Sequence, residues 1–280
     1  MIATGRYNTL EIDRETTVGL FLVDDEGNDV LLPRKYYPET FEIGDKLEVF
    51  IYRDSEDRQI ATNLKPYIDL HKFAFLQVKS VGAMGAFLDW GMEKDLLVPF
   101  AEQQGRMEDG KWYVVYLELD DVTDRLFASA KVEKYLENEY LRVAAGDEVD
   151  LLVYSQSPLG YSVIVNQVHQ GLIFNNEVFG DLAIGSELKG WVKQVRNDQK
   201  LDITLNRLGY ENSNEPNAQH ILAKLQQANG FLPYGDKSDP QVIYTQFGMS
   251  KKAFKKAIGS LYKNREIEIE EEGIRLRSEE

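Results

Sequence analysis

Between residues 248 and 265 the chain carries six bases and no acid: Lys251, Lys252, Lys255, Lys256, Lys263 and Arg265. Cations in such a run pair with phosphate oxygens and release the counterions that neutralised them. With those six bases set aside from a net charge of -15, the rest of the chain carries -21. One short basic segment therefore sits in a strongly acidic molecule. Two aromatic residues, Phe21 and Phe87, hold matching places in alternating segments, and an exposed ring can stack an unpaired base. Either ring can instead fill a core: Phe87 follows Ala86 in alternation, so one of the two faces in.

Other chemistry lacks its residues. The chain has no cysteine, which excludes disulfides, thiolate metal sites and thiol nucleophiles and suits a reducing cytoplasm. His71, His169 and His220 show no metal-ligand spacing and read as ordinary polar residues. Asp24-Asp25 and Asp120-Asp121 lie in turn-like contexts with no nucleophile or partner base at hand. Gly82-Ala83-Met84-Gly85 lacks the Gly-Lys-Ser/Thr of a phosphate loop. No catalytic residue, metal or cofactor is expected. The opening MIATGRYNTLEID has no basic stretch leading into an apolar core, and no apolar run approaches about 18 residues, so neither a secretion signal nor a membrane span is expected.

The elements that position these residues repeat. Val18-Gly19-Leu20-Phe21-Leu22, Met84-Gly85-Ala86-Phe87-Leu88 and Leu159-Gly160-Tyr161-Ser162-Val163 align on their glycines. Apolar runs follow at a constant distance and contain Leu32, Val98 and Ile173. Further glycines follow at Gly44, Gly110 and Gly185, and the strand-like ends Ala61-Thr62, Ala128-Ser129 and Ile203-Thr204 come after them. Alternation such as Leu47, Val49, Ile51 marks half-buried strands. Five short strands in about 60 residues suit a small closed barrel of the OB type. The repeated glycine suits a bend or a close backbone approach. Trp90 and Trp112 are placed to flank the surface of the second unit, although large aromatics more often pack. Val132, Tyr135, Leu136, Tyr140 and Val143 follow helical spacing, so residues 131–143 are expected to form a connecting helix.

The periodicity changes after a polar linker at residues 211–217. Ile221, Leu222, Leu225 and Ala228 share a helix face, Pro240 opens a second helix, and Ser250 caps a third. On the third, Phe254, Ala257, Ile258 and Leu261 fall on one side and the lysines on the other. An alternating hairpin follows at residues 266–277. Helix, helix, turn, basic helix and hairpin is the order of a winged helix.

Gly85-Ala86-Phe87-Leu88 with Leu97-Val98-Pro99 resembles the RNA-binding repeat called the S-one domain. Tyr7-Asn8-Thr9-Leu10, Leu31-Leu32-Pro33, Gly235-Asp236-Lys237-Ser238-Asp239-Pro240 and the run from Met249 to Gly259 extend the resemblance to the bacterial conserved virulence factor B family over nearly the whole chain. The resemblance implies a mainly β protein: three tandem OB-fold barrels of the S-one type at residues 1–65, 66–143 and 144–210, then a winged helix at 211–280. It also implies RNA binding and regulation of expression after transcription; together with the residue reading, a monomeric, cytoplasmic, non-catalytic binder of single-stranded RNA is expected, with the ribosome or mRNA as candidate partners. RNA contacts are expected at Phe21, Phe87, Lys251, Lys252, Lys255, Lys256, Lys263 and Arg265. The usual S-one repeat has an aromatic before the glycine and a histidine after the apolar run. Here Val18, Met84 and Leu159, and then Pro33, Pro99 and Phe174, stand in those places, and Ser162 replaces the second aromatic. A DNA-binding regulator using the lysine helix, or an adaptor whose barrels bind protein, are the alternative readings.

Overall fold

A computed structural model of the chain describes residues 1–178, 182–205 and 215–277. The first unit is β1 (Tyr7–Glu15), β2 (Gly19–Val23), β3 (Asp29–Pro33), β4 (Lys46–Arg53) and β5 (Gln59–Thr62). The second is β6 (Phe73–Val81), β7 (Gly85–Asp89), β8 (Leu96–Pro99), β9 (Trp112–Asp120) and β10 (Arg125–Ser129). The third is β11 (Glu148–Ser157), β12 (Gly160–Val165), β13 (His169–Phe174), β14 (Glu187–Val195) and β15 (Leu201–Thr204). The first and third units close as barrels in the orders β1-β2-β3-β5-β4 and β11-β12-β13-β15-β14. The second keeps that order, but its sheet ends at β8 and β10 without a ladder between them. This is the OB arrangement expected in all three copies, and β8 and β10 still lie side by side in the middle one.

The same two local devices recur three times. Each first strand is bulged at the equivalent place, between Ile12 and Arg14, Val78 and Ser80, and Val153 and Ser155. A bulge bends the strand and strengthens its twist, as a small barrel requires. Each second strand opens on the repeated glycine. A Cβ on Gly19, Gly85 or Gly160 would lie 2.2, 2.1 or 2.0 Å from the carbonyl oxygen of Leu32, Val98 or Ile173. Only a residue without a side chain lets the two backbones run so close.

The barrels are joined by packed surfaces. Phe50, Tyr52 and Ile60 of the first barrel share a core with Ile68, Leu70 and Trp90 of the second. Trp90, 2% exposed, is thus a junction residue and does not flank an open surface. At the rim, Arg53 donates to the Asp124 carboxylate at 2.8 Å, and Arg125 grips Asp57 with two bonds of 2.9 and 2.7 Å. Between the second and third barrels, Phe73 and Val114 pack against Leu152 and Ile164. The Gln167 amide extends β6 there: the Phe73 N–H donates to its Oε1 at 2.6 Å, and its Nε2 donates to the Phe73 carbonyl at 3.2 Å.

The expected helix at residues 131–143 is corrected. Only Val132–Tyr135 makes a turn of 3-10 helix, and the chain then runs extended. Its apolar residues are spread over two neighbours: Val132, Tyr135 and Leu136 join the inter-barrel core, while Leu141 and Val143 pack on the third barrel. Hydrogen bonds from the third barrel replace helical ones. Asn138 donates to the Gln170 carbonyl at 2.9 Å and accepts from the Gln170 N–H at 2.7 Å. His169, buried, bridges the segment: its Nδ1 meets the Glu137 carbonyl, and its Nε2 accepts from the Arg142 N–H at 3.1 Å. This pairing requires the neutral ring with its proton on Nδ1.

After residue 205, positions 206–214 lie outside the described residues, and with them most of the expected linker; residues 215–217 already open a helix. The remainder is α1 (Glu215–Gln227), β16 (Phe231–Leu232), α2 (Pro240–Phe247), α3 (Lys251–Lys263), β17 (Ile267–Ile269) and β18 (Ile274–Leu276). Asp239 caps α2 and Ser250 caps α3, with Gly248 in the left-handed conformation between them. Ile221, Leu225, Ile243, Phe247, Phe254, Ile258, Leu261, Ile267 and Ile274 form one core, the winged-helix arrangement read from the sequence.

His169→Leu strands the Glu137 carbonyl and the Arg142 amide without partners. We expect it to destabilise the third barrel by about 1–3 kcal/mol. Urea unfolding of the full chain, with hydrogen exchange at residues 136–143, measures this; wild-type values for both would remove the clasp.

Candidate nucleic-acid interface

The crossing at each glycine fixes which residues point outward. In β2, Leu20 and Leu22 are buried and Phe21 between them is half-buried. In β7, Ala86 and Leu88 face the core, and Phe87 is the half-buried outward residue. The alternation left open by sequence thus resolves with alanine inside. The cross-strand neighbours of Phe21, Phe87 and Ser162 are Leu31, Leu97 and Leu172, also half-buried. Val18, Met84 and Leu159, where the usual repeat has an aromatic, are 58%, 64% and 67% exposed. Each barrel therefore shows an apolar strip at the same place, built on aliphatic tips where a ring is absent.

The three strips differ in what covers them. In the first barrel the Arg14 guanidinium lies 4.2 Å from the Phe21 ring centroid and is itself held by Asp13 and Asp29, at 2.5 and 2.7 Å. In the second, Ser80 takes the place of Arg14, and the Phe87 ring packs over Gly82, whose notional Cβ would meet it at 3.1 Å. Both rings are half-buried, Phe21 beneath a guanidinium and Phe87 against a glycine. In the third, the place of the ring is a concavity of about 280 Å³ lined by Leu159, Ser162, Leu172 and Arg196. Trp112 lies apart from these strips, 52% exposed, with its ring 5.4 Å from Phe75 near the junction with the third barrel.

The lysine run behaves as its spacing predicts. Phe254, Ala257, Ile258 and Leu261 are buried, while Lys252, Lys255, Lys256 and Lys263 are exposed and Lys251 is half-buried. Lys255 has an acidic neighbour within the chain, Asp236 at 3.6 Å with both partners about half-exposed. An exposed pair of this kind is worth at most about 1 kcal/mol and yields to a phosphate. Arg265 is exposed in a left-handed turn just beyond α3. The five lysines thus share one side of one helix, and Phe21 and Phe87 lie on separate barrels.

Two features of this unit were not drawn from the sequence. Tyr262 stands on the lysine side of α3, 57% exposed, hidden in the sequence by the cations around it. The wing is acidic: Glu266, Glu268, Glu270, Glu271 and Glu272 fall on or beside β17. Its two arginines are engaged by its own acids, Arg275 with Glu270 at 2.6 Å and Arg277 with Glu268 at 3.7 Å. The aspartates of the sequence pairs are turn formers. Asp24 accepts from the Asn28 side-chain amide and from the N–H groups of Asn28 and Glu26, and Asp120 from the N–H groups of Thr123 and Val122; these bonds hold both carboxyls below the usual range.

The architecture defines a class: tandem OB barrels followed by a winged helix. Residues 4–64 match the family described as "S1 domain", and residues 219–276 match "CvfB-like winged helix domain". The chain is 33% identical over 275 residues to "Uncharacterized protein YitL" of Bacillus subtilis, across 94% of this chain and 90% of the relative. It is 27% identical to "Conserved virulence factor B" of Staphylococcus saprophyticus, across 85% of this chain and 82% of the relative. The chain belongs to the family that contains these proteins. A solved structure of a multidomain protein with nucleic acid binding domains from Streptococcus pneumoniae is 25% identical, covers 98% of both chains and gives a TM-score of 0.44.

Because Phe87 points away from the core, Phe87→Ala should cost less than about 1.5 kcal/mol of stability. Urea unfolding checks this; a loss above about 3 kcal/mol, the range of a large core truncation, would place the ring inside.

Proposed function

We propose that the chain is a non-catalytic, cytoplasmic RNA-binding protein that takes single-stranded RNA with low sequence specificity and acts on gene expression after transcription. The observation that carries this reading is the single-sign lysine side of α3 in a chain of net charge -15. Phosphates bind there, and the apolar strips around Phe21 and Phe87 offer stacking surfaces for unpaired bases. The S1 and winged-helix matches support its coarser part, nucleic-acid binding.

Two observations favour a single strand over the DNA-regulator reading. The exposed side of α3 carries no Arg, Asn or Gln, the usual readers of base edges in a major groove. The wing, which in a duplex complex would approach the backbone, is lined with glutamates. Phosphates and carboxylates repel, and the wing's five glutamates outnumber its two arginines, Arg275 and Arg277.

Anisotropy titrations with a labelled oligouridylate and a duplex DNA, each at two salt concentrations, test the proposal. Tight oligouridylate binding and weak duplex binding are expected. Replacing Lys251, Lys252, Lys255 and Lys256 together with Gln should lower the RNA salt slope by up to about 3, at roughly 0.7 counterions per phosphate. An unchanged slope would overturn the lysine assignment. Tighter binding to the duplex would favour the DNA regulator, and no binding to either at low salt would favour the protein adaptor.

A further inference from the structure

Position 259, in the middle of α3, is a glycine with no packing reason to be one. A Cβ there would meet nothing within 4 Å. Glycine inside a helix is worse than alanine by about 0.5–1 kcal/mol, so the fold alone gains nothing from it. At ~100° per residue, Gly259 lies within about 80° of Lys251, Lys255 and Tyr262 around the helix. It is about 6 Å along the axis from Lys255 and about 4.5 Å from Tyr262. The bare patch therefore sits on the cationic side, between a lysine and an exposed tyrosine, with Lys263 and Arg265 following.

Tyr262 also lacks a packing reason for its exposure. Apart from Tyr244, the other aromatics of this domain are engaged or covered: Phe247 packs on Tyr234 and Phe254, and Arg275 covers Phe231. Tyr244, on α2, is exposed too, but α2 bears no charged residue. An aromatic face, a backbone left bare and flanking cations are what one nucleotide of an unpaired strand needs: a surface for the base, room for the sugar, and charge for the phosphates.

We propose that Tyr262 stacks one unpaired base of bound RNA while the sugar-phosphate chain crosses α3 at Gly259, with Lys255 and Lys263 on either side. This rests on the RNA-binding reading above and adds a base-contacting subsite to it. Stacking on Tyr262 selects unpaired over paired nucleotides, because a base in a duplex has no free face.

The full chain is titrated with a labelled oligouridylate as wild type, Tyr262→Ala, Tyr262→Phe and Gly259→Ala, beside the four-lysine variant. Tyr262→Ala should weaken binding by about 5- to 150-fold without changing the salt slope, and Tyr262→Phe should bind within about twofold of wild type. Gly259→Ala should raise the melting temperature of the winged helix and yet weaken RNA binding. If Tyr262→Ala binds as wild type while the four-lysine variant loses salt dependence, the stacking subsite is overturned and the lysine reading stands. If the four-lysine variant binds as wild type, the underlying reading fails first. Equal loss in Tyr262→Phe and Tyr262→Ala would overturn stacking in favour of a hydroxyl contact. Wild-type affinity in Gly259→Ala would overturn the crossing.

Discussion

At the start of the second strand of every barrel, two backbones run closer than any side chain permits. The notional Cβ of Gly19, Gly85 and Gly160 falls 2.0–2.2 Å from a carbonyl oxygen of the third strand. That contact sets the phase of everything after it. Alternation in a strand has period two, so fixing the glycine against the third strand fixes which following residues enter the core. Leu20 and Ala86 go in, and Tyr161 at that place packs half-buried against the third core; Phe21, Phe87 and Ser162 stay out. The residue before the glycine is left at the turn, exposed, in all three copies. The apolar strip is therefore a consequence of the crossing and survives the loss of any particular ring. A repeat can trade Phe for Ser at the platform and still fold, since the platform contributes nothing to the interior.

A second constraint is the separation of charge within the winged helix. α3 and the wing are consecutive in sequence and opposite in sign. The wing's two arginines pair with Glu270 and Glu268, and its glutamates outnumber them, so the hairpin stays net negative. A helix that attracts phosphate beside a hairpin that repels it suits a ligand narrow enough to lie along the helix alone. A single strand is that narrow; a duplex, which presents two backbones across a groove, is not. On the proposed function, the apolar strips on the barrels suit the same kind of ligand, because a base can stack on them only when unpaired.

Much of this was legible in the sequence, for reasons that also explain the failures. The glycine recurs because no other residue fits the crossing, so its spacing exposes the repeat. The lysine helix reads correctly because its two sides differ in both charge and burial. The segment 131–143 misleads because helical spacing only says that apolar residues recur at three and four. Here an extended chain meets two different cores, the junction at Val132 and Leu136 and the third barrel at Leu141 and Val143. His169 read as an ordinary polar residue because its partners, the Glu137 carbonyl and the Arg142 amide, are backbone groups that leave no mark in a sequence. The wing showed its alternation and thus its hairpin, but its sign mattered only once it stood beside α3.

The barrel junctions bear on how weak sites add. Phe50 and Trp90 at one junction, and Phe73, Ile164 and the Gln167 amide at the other, tie the three barrels by packing and by hydrogen bonds to the backbone. A base stacked on one strip contributes about 1–3 kcal/mol, too little alone for stable binding. Contacts held on one frame add without the entropy of bringing separate modules together. On such a frame no strip needs the full aromatic set of a lone RNA-binding barrel, and Val18, Met84 and Leu159 are tolerable where rings would otherwise stand. The low sequence specificity proposed above would follow from the same arrangement. Stacking and phosphate pairing accept any base, and a summed affinity built from them discriminates strandedness rather than sequence.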